Sequence, residues 1–440
     1  MIQESNQQGV SDNQKGSSVV SFSVKILPWV MFALGALYYC YEYLLRISPS
    51  VMTGRLMADF SIEAGALGNF IAYYYYIYTP MQLPVGVLMD RYGPRRLLVF
   101  ACLFCVLGAF WFGSTETAQA IGYSRLLMGF GSAFAFVGVL KIASLWLPEN
   151  HFALASGLAY MLGTIGAMVG DDVMSTLVGH VGWRSTINYA AVAGIILSII
   201  ILVVLRDRPA PNRQILKPAL PETTFKMLGI ELLQLIKNPL IWINGLVGGL
   251  LYLPVSAFAE LWGLPFIQNT YHISRESAAH VISIMFLGIA IGAPFAGWLS
   301  DKIRRRCLPI IISAIICAVL ALVIVFVPIP RTALYVLLFF FGMVSSVQIL
   351  VFPIARELSP DNLAGTAVAF TNMLTMFCGM IFQPLIGRLL DLNWDGFKVN
   401  NIPVYTVTDY RYALFSIPIA MFVALILMIF MKETHAEVKG

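Results

Sequence analysis

Charge is what this sequence has least of. Of its 440 residues only 12% are Asp, Glu, Lys or Arg, against 59% hydrophobic, and the mean hydropathy is +0.79. A soluble chain of this length needs far more polar surface, so that class is excluded. The net charge of +5 is gathered in a few loops and forms no basic stripe, which excludes a nucleic-acid-binding surface. The patterns of an enzyme are also missing. No phosphate loop follows a strand, and no serine has a His/Asp set at a motif spacing. The six cysteines, Cys40, Cys102, Cys105, Cys307, Cys317 and Cys378, lack metal-ligand spacing and read as small core residues. No cofactor, metal or ATP-driven step is expected. Residues 1–24 are polar, without a basic-then-apolar leader pattern, and read as a disordered tail.

What the chain does have is apolar runs. Twelve are centred on 27–57, 64–88, 97–114, 118–146, 153–178, 187–205, 240–267, 278–300, 307–328, 332–353, 363–390 and 409–431. Most exceed the roughly 20 residues that a helix needs to cross a bilayer, so an all-α membrane protein of twelve transmembrane helices is expected. Kinks are expected at Pro49, Pro254 and Pro384. Arg91, Arg95 and Arg96, then Arg206, Arg208, Arg213 and Lys217, then Lys302, Arg304, Arg305 and Arg306 fall in loops of one parity, which predicts that face and both termini to be cytoplasmic. The proline-rich segment 206–238 divides six-helix bundles at 25–205 and 239–432, and 433–440 is a second tail.

The halves repeat. Gly86, Asp90 and Arg91 are echoed by Gly297, Asp301 and Lys302, and Trp183 by Trp394, at an offset of 211; Pro148 and Asn150 are echoed by Pro360 and Asn362, and Met161-Leu162 by Met373-Leu374, at 212. Tandem halves related along the membrane normal are a transporter architecture. Asp90 with Arg91 and Arg95, and Asp301 in the copy, are placed to pin neighbouring helix ends as a breakable latch, with Glu149 and Asp361 as partners. Purely topological positive charge is the plainer alternative.

Inside the runs the unusual residues are Glu42, Arg46, Arg125, Lys141, Asp171, Asp172 and Glu260. Tyr38, Glu42 and Arg46 are spaced i, i+4, i+8 and share one side of a helix, drifting by about 40° per step. An acid and a base at that depth face each other, a cavity or a solute. Counting along the helices sets Arg46 level with Asp171 and Asp172, so a pair with one of these is expected. Glu42 and the Asp171/Asp172 step suit a reversible proton carrier. Lys141 is expected to snorkel, away from the core site. One arginine among several acids suits a solute bearing a carboxylate and an amine, with Arg46 on the first and Glu42 or Glu260 on the second. Of the many tyrosines, Tyr38 and Tyr74 are expected to line the pocket, and Gln348, Asn372 and Gln383 complete it or bond across helices.

Several of these stretches carry a family resemblance. Gly86-x-x-x-Asp90-Arg91-x-Gly93-Pro94-Arg95-Arg96 resembles the signature loop of the major facilitator superfamily, and its second copy departs at Arg304, where the pattern has glycine, so a looser turn is expected there. Arg125-x-x-x-Gly129-x-Gly131 and Gly182-Trp183-Arg184 are similar to shorter motifs of the same superfamily. Tyr43-Leu44-Leu45-Arg46 is similar to the first helix of its organophosphate:phosphate antiporters, but their second arginine would fall near Ala257, and the span holds Glu260 instead. The Tyr38–Glu42–Arg46 pattern with Glu260-Leu-Trp-Gly most resembles the branch of proteobacterial intraphagosomal amino-acid and nucleoside transporters. That resemblance implies proton-coupled uptake of a small zwitterionic or carboxylate solute across a bacterial inner membrane by a monomer. An organic-anion exchanger, a siderophore or metabolite exporter, and a non-transporting receptor on the same fold are the alternatives.

Overall fold

The computed structural model describes residues 5–148, 152–207, 225–360, 363–399 and 402–434. Long helices account for almost all of it: α1 Ser5–Ile47, α2 Ala64–Tyr92, α3 Pro94–Ser114, α4 Ala118–Trp146, α5 (152–181), α6 (183–204), α7 Pro239–Tyr271, α8 Arg275–Ile303, α9 Cys307–Phe326, α10 Arg331–Glu357, α11 Ala364–Asn393 and α12 Val407–Ile429. Helices α5 and α6 run as one apart from Gly182, whose φ of 81° and ψ of 163° only glycine adopts readily. The basic loops lie at one end of the helices, called the basic end below; the other end carries 48–63, 115–117, 272–274 and 394–406.

Three local expectations change. The backbone is helical from Ser5, so the segment read as a disordered tail continues α1; no proline precedes Pro28 to stop it. Within 206–238, Phe225–Ile236 is a helix, while 208–224 lie outside the described residues. Pro49 follows the end of α1 rather than kinking it, Pro384 sits inside an unbroken α11, and Pro254 opens a wider π-helical stretch, Pro254–Trp262, that carries Glu260.

The latch loops hold each half together. Asp90 pairs with Lys141 at 2.6 Å, tying α2 to α4, whereas Arg91 stacks on Tyr92 and Arg95 donates to the Leu202 carbonyl. Lys141 reaches the basic helix end by its length, away from the core site, and meets Asp90 there. In the second half Asp301 and Glu357 both hold Arg306, at 2.6 and 3.1 Å. Burial works against the Arg306 charge, but these two carboxylates keep its pKa above the usual arginine value. Glu149 and Asp361 lie outside the described residues. Nor is the second loop loose: Arg304 takes the left-handed conformation, φ 52° and ψ 39°, that still admits a side chain, where Gly93 has φ 78° and ψ 153°.

Carboxylates also close each bundle. Asp207, after α6, accepts from the Arg95 backbone N–H at 2.8 Å, and Glu433, after α12, accepts from those of Arg306 and Cys307 at 2.5 and 3.0 Å. Each caps the first turn of the third helix of its own half.

At the end opposite the basic loops the halves are shut against each other. Asp391, from α11, accepts from the backbone N–H groups of Ala64 and Gly65 at the start of α2, at 3.1 and 2.7 Å, and from the Tyr405 hydroxyl at 2.6 Å. Just below, the two helices touch through glycine. A Cβ on Gly387 would lie 2.4 Å from the Ala64 carbonyl, and one on Gly68 2.6 Å from that of Gln383. Toward the basic end the same helices part around a cavity. Gly387→Val should therefore force the closed end open: spin labels on the outer ends of α2 and α11 should separate by several ångströms with helix content unchanged. Unaltered distances would show that this contact does not set the closure.

Candidate functional site

The site is built on α1. Glu42 and Arg46, one turn apart, are both buried, and each meets the other first: Arg46 Nη2 and Nε lie 2.6 and 2.9 Å from Glu42 Oε1. Tyrosines from α1 and α2 close around the pair. Tyr74 donates its hydroxyl to Glu42 and accepts from Arg46 Nε at 3.1 Å, while the rings of Tyr43 and Tyr78 lie 4.6 and 4.9 Å from the guanidinium carbon. Glu42 Oε2 has no partner among the described residues.

Arg125, on α4, holds the frame. Its Nη1 and Nη2 donate to the carbonyls of Leu45 and Arg46 at 2.8 and 3.0 Å, in the last turn of α1. Its guanidinium also sits over the Tyr74 ring at 4.7 Å. Arg125 thus fixes where Arg46 stands and is spent on backbone.

A second carboxylate faces this pair from the other half. Glu260, buried in the π-helical stretch of α7, receives the hydroxyls of Tyr75, from α2, and Tyr252, at 3.1 Å; Tyr252 in turn meets the Tyr43 hydroxyl at 3.1 Å. No cation lies within ion-pair distance of Glu260 among the described residues. Two buried oxygens in this half have no partner among the described residues, Ser256 Oγ, on the same π-helical stretch as Glu260, and Gln383 Oε1; the Gln383 amide donates to the Ser256 carbonyl at 2.7 Å, and Ser256 and Tyr75 both border Gly379.

One turn along α2 from Tyr78, about 6 Å by helix rise, Gln82 starts the wall of a cavity of about 820 Å3 that extends to Asp90. Tyr160 and Asn372 line it too; Asn372 donates to Gln82 at 2.8 Å, and Gln348, buried on α10, bonds the Tyr160 hydroxyl while its own Oε1 stays unpartnered. The Glu42–Arg46 pair and its tyrosines are not part of this lining; Tyr78, whose ring faces Arg46, stands one turn along α2 from the first lining residue, Gln82.

Other expectations are corrected. Arg46 does not pair with Asp171 or Asp172. Asp171 is buried and accepts from Ser50 Oγ at 3.0 Å, and Asp172, 100° around α5, lies at the exposed side 3.5 Å from His280 of α8. Equal depth did not supply a common direction. Tyr38 points away from the site and donates to the Gly131 carbonyl at 2.9 Å, because 40° of drift per step turns its ring into the packing with α3 and α4. Sequence reasoning missed Tyr75, Tyr78, Tyr160 and Tyr252. The run of tyrosines signalled the first two, and the proline two residues after Tyr252 marked a change of helix where a buried acid follows.

Residues 30–384 match the Major Facilitator Superfamily. The chain belongs to that superfamily. It is 25% identical over 285 residues to a protein named as a probable L-galactonate transporter of Escherichia coli strain K12, a match spanning 63% of this chain and 62% of that one, and hence less than two thirds of the relative's length. It is 23% identical over 383 residues to the membrane sensor protein UhpC of the same organism, covering 82% and 86% of the two chains. Among solved structures, a bacterial homologue of the human lysosomal transporter Spinster, inward-facing and unoccupied, superposes with a TM-score of 0.77 at 14% identity over 91% of this chain and 96% of that one, which is a likeness of fold.

Replacing Arg125 separates framework from site. Arg125→Leu takes its donor from the Arg46 carbonyl and leaves the Leu45 carbonyl with the Ser48 hydroxyl alone, and should cost roughly 1–3 kcal/mol of stability, read as a lower unfolding temperature in detergent. Arg46→Lys, which keeps a cation beside Glu42, should melt close to the wild type. Equal losses would place Arg46 in the framework as well.

Proposed function

We propose that this protein is a secondary transporter that moves a small carboxylate-bearing solute together with a proton, by alternating access between its two halves. The observation that carries the reading is the closed, buried Glu42–Arg46 pair with one carboxylate oxygen unpartnered. A solute carboxylate can take Arg46 bidentately only by displacing Glu42. Displacement of an ionised Glu42 would leave a bare carboxylate in a tyrosine-lined, water-poor space, which is costly. A proton on Glu42 removes that cost, so proton and solute enter together. The buried, unpartnered oxygen of Asp171 makes it a second candidate for the proton, and Asp172 meets only exposed groups.

Basic loops belong on the cytoplasmic side, which puts both termini in the cytoplasm of a bacterial inner membrane and makes the state described here open inward. Each half-site lies within one chain, so a monomer suffices. The solute's second end meets Glu260, Tyr252, Ser256 and Gln383. This set of hydroxyl and carbonyl partners suits a polyhydroxy acid, in keeping with the L-galactonate named for one relative. A specific observation favours a second reading, an amino acid: Glu260 has no cationic partner and could receive an ammonium. A nucleoside carries no carboxylate for Arg46. A hexose phosphate would bring two charges to one arginine with two acids nearby.

Uptake into proteoliposomes decides among these. Galactonate and gluconate should accumulate when the outside is made acidic, and leucine or glutamate should not; the reverse result would favour the amino acid. Arg46→Lys should weaken solute affinity by about 10-fold or more, since a point charge replaces a planar fork. Glu42→Gln should abolish accumulation against a gradient while counterflow exchange persists. Were accumulation to survive, Glu42 would not be the proton carrier and Asp171→Asn would be the next variant; were both activities lost, the pair would be structural.

A further inference from the structure

Three charged side chains line the cavity toward its basic end: Asp90, Glu231 and Arg356. Two of them are occupied. Asp90 is held by Lys141 at 2.6 Å, and Glu231, on the helix between the halves, accepts from the Thr366 hydroxyl at 2.5 Å. Arg356, in the last turn of α10, is different. It is exposed, and its guanidinium has no ion-pair or hydrogen-bond partner among the described residues, although the neighbouring Glu357 is bound to Arg306 and to Thr434. Lys141 neutralises Asp90, whereas a hydroxyl leaves the Glu231 charge in place, so the lining as a whole is close to neutral; the attraction for anions is local to Arg356, which has no carboxylate within ion-pair distance among the described residues.

We propose that Arg356 is a second anion station, a weak carboxylate-binding group between Arg46 and the aqueous mouth. The proposal rests on the carboxylate reading of the solute. Arg46 is buried among tyrosine rings beyond the cavity lining, whereas Arg356 is exposed on it. The same carboxylate is therefore held loosely at Arg356 and tightly at Arg46. A solute released from Arg46 would meet one open cation before reaching bulk water, and an entering anion would meet it first. Asn372, Gln82 and Tyr160 along the wall offer uncharged hydrogen-bonding groups to a polyhydroxy chain passing between the two.

The field of Arg356 can be read without transport. Gly86 lines the same cavity, and a Cβ there meets nothing within 4 Å, so Gly86→Cys puts a thiol in open space; none of the six native cysteines lines the cavity. In full-length protein carrying Gly86→Cys, the reaction rates of an anionic methanethiosulfonate (sulfonatoethyl) and a cationic one (trimethylammonioethyl) are compared, with the protein lacking Gly86→Cys as the background. Adding Arg356→Gln should lower the anionic-to-cationic rate ratio about two- to fivefold, less at high salt, while Arg356→Lys should keep it. Millimolar gluconate should slow the anionic reagent with Arg356 present, also in an Arg46→Lys background, and should not do so after Arg356→Gln. An unchanged ratio, or gluconate protection that is absent or indifferent to Arg356, overturns the station. Because Arg46→Lys leaves the protection in place, failure of the Arg46 anchor is told apart from failure of this proposal.

Discussion

Everything in this protein's centre is arranged around one buried ion pair. Two full charges removed from water cost several kcal/mol each before their mutual attraction is counted, and the surroundings offset that cost group by group. Tyr74 bonds both partners, three tyrosine rings face the guanidinium, and Arg125 anchors the end of α1 so that the pair cannot drift. Glu260, across the interface between halves, is satisfied by hydroxyls and not by a cation. Because Tyr75 and Tyr43 belong to one half and Glu260 and Tyr252 to the other, the same hydroxyls that solvate the acids bridge the halves. Any change of charge on Glu42 or Glu260 is felt at the seam.

The two ends of that seam are built differently. The closed end relies on backbone: helix α2 begins under the Asp391 carboxylate, and glycines let main chain meet main chain. Such contacts are all-or-none, since a helix start is either capped or bare. At the open end the ion pairs among the described residues lie within each half, Asp90 to Lys141 and Asp301 to Arg306, and the Asn372–Gln82 bond joins the halves at the start of the cavity.

Much of this was legible in the sequence, and the failures have common causes. Twelve helices, the two halves and the presence of Glu42 and Arg46 within the first helix follow from hydropathy, from repeat spacing and from the rarity of charge in an apolar run. Which partner Arg46 takes did not follow. Counting rise per residue gives depth, but contact also needs azimuth, and Asp171 shares the depth without facing Arg46. Tyr38 failed for the same reason, over two turns of accumulated drift. Arg304, expected to loosen its loop, shows that a left-handed turn tolerates a side chain where the more extended positive-φ form of Gly93 would not.

The carboxylates that follow the last helix of each half, Asp207 and Glu433, staple that helix's end to the start of the third. Each bundle is thereby a closed ring at its basic end, with its final helix latched back on its middle. A lever transmits displacement only as well as it resists bending. If the halves rock about the Glu42–Arg46 pair as proposed, closed rings would let each bundle move as a stiff arm, so that a small rearrangement at the centre would become a larger displacement at the mouth.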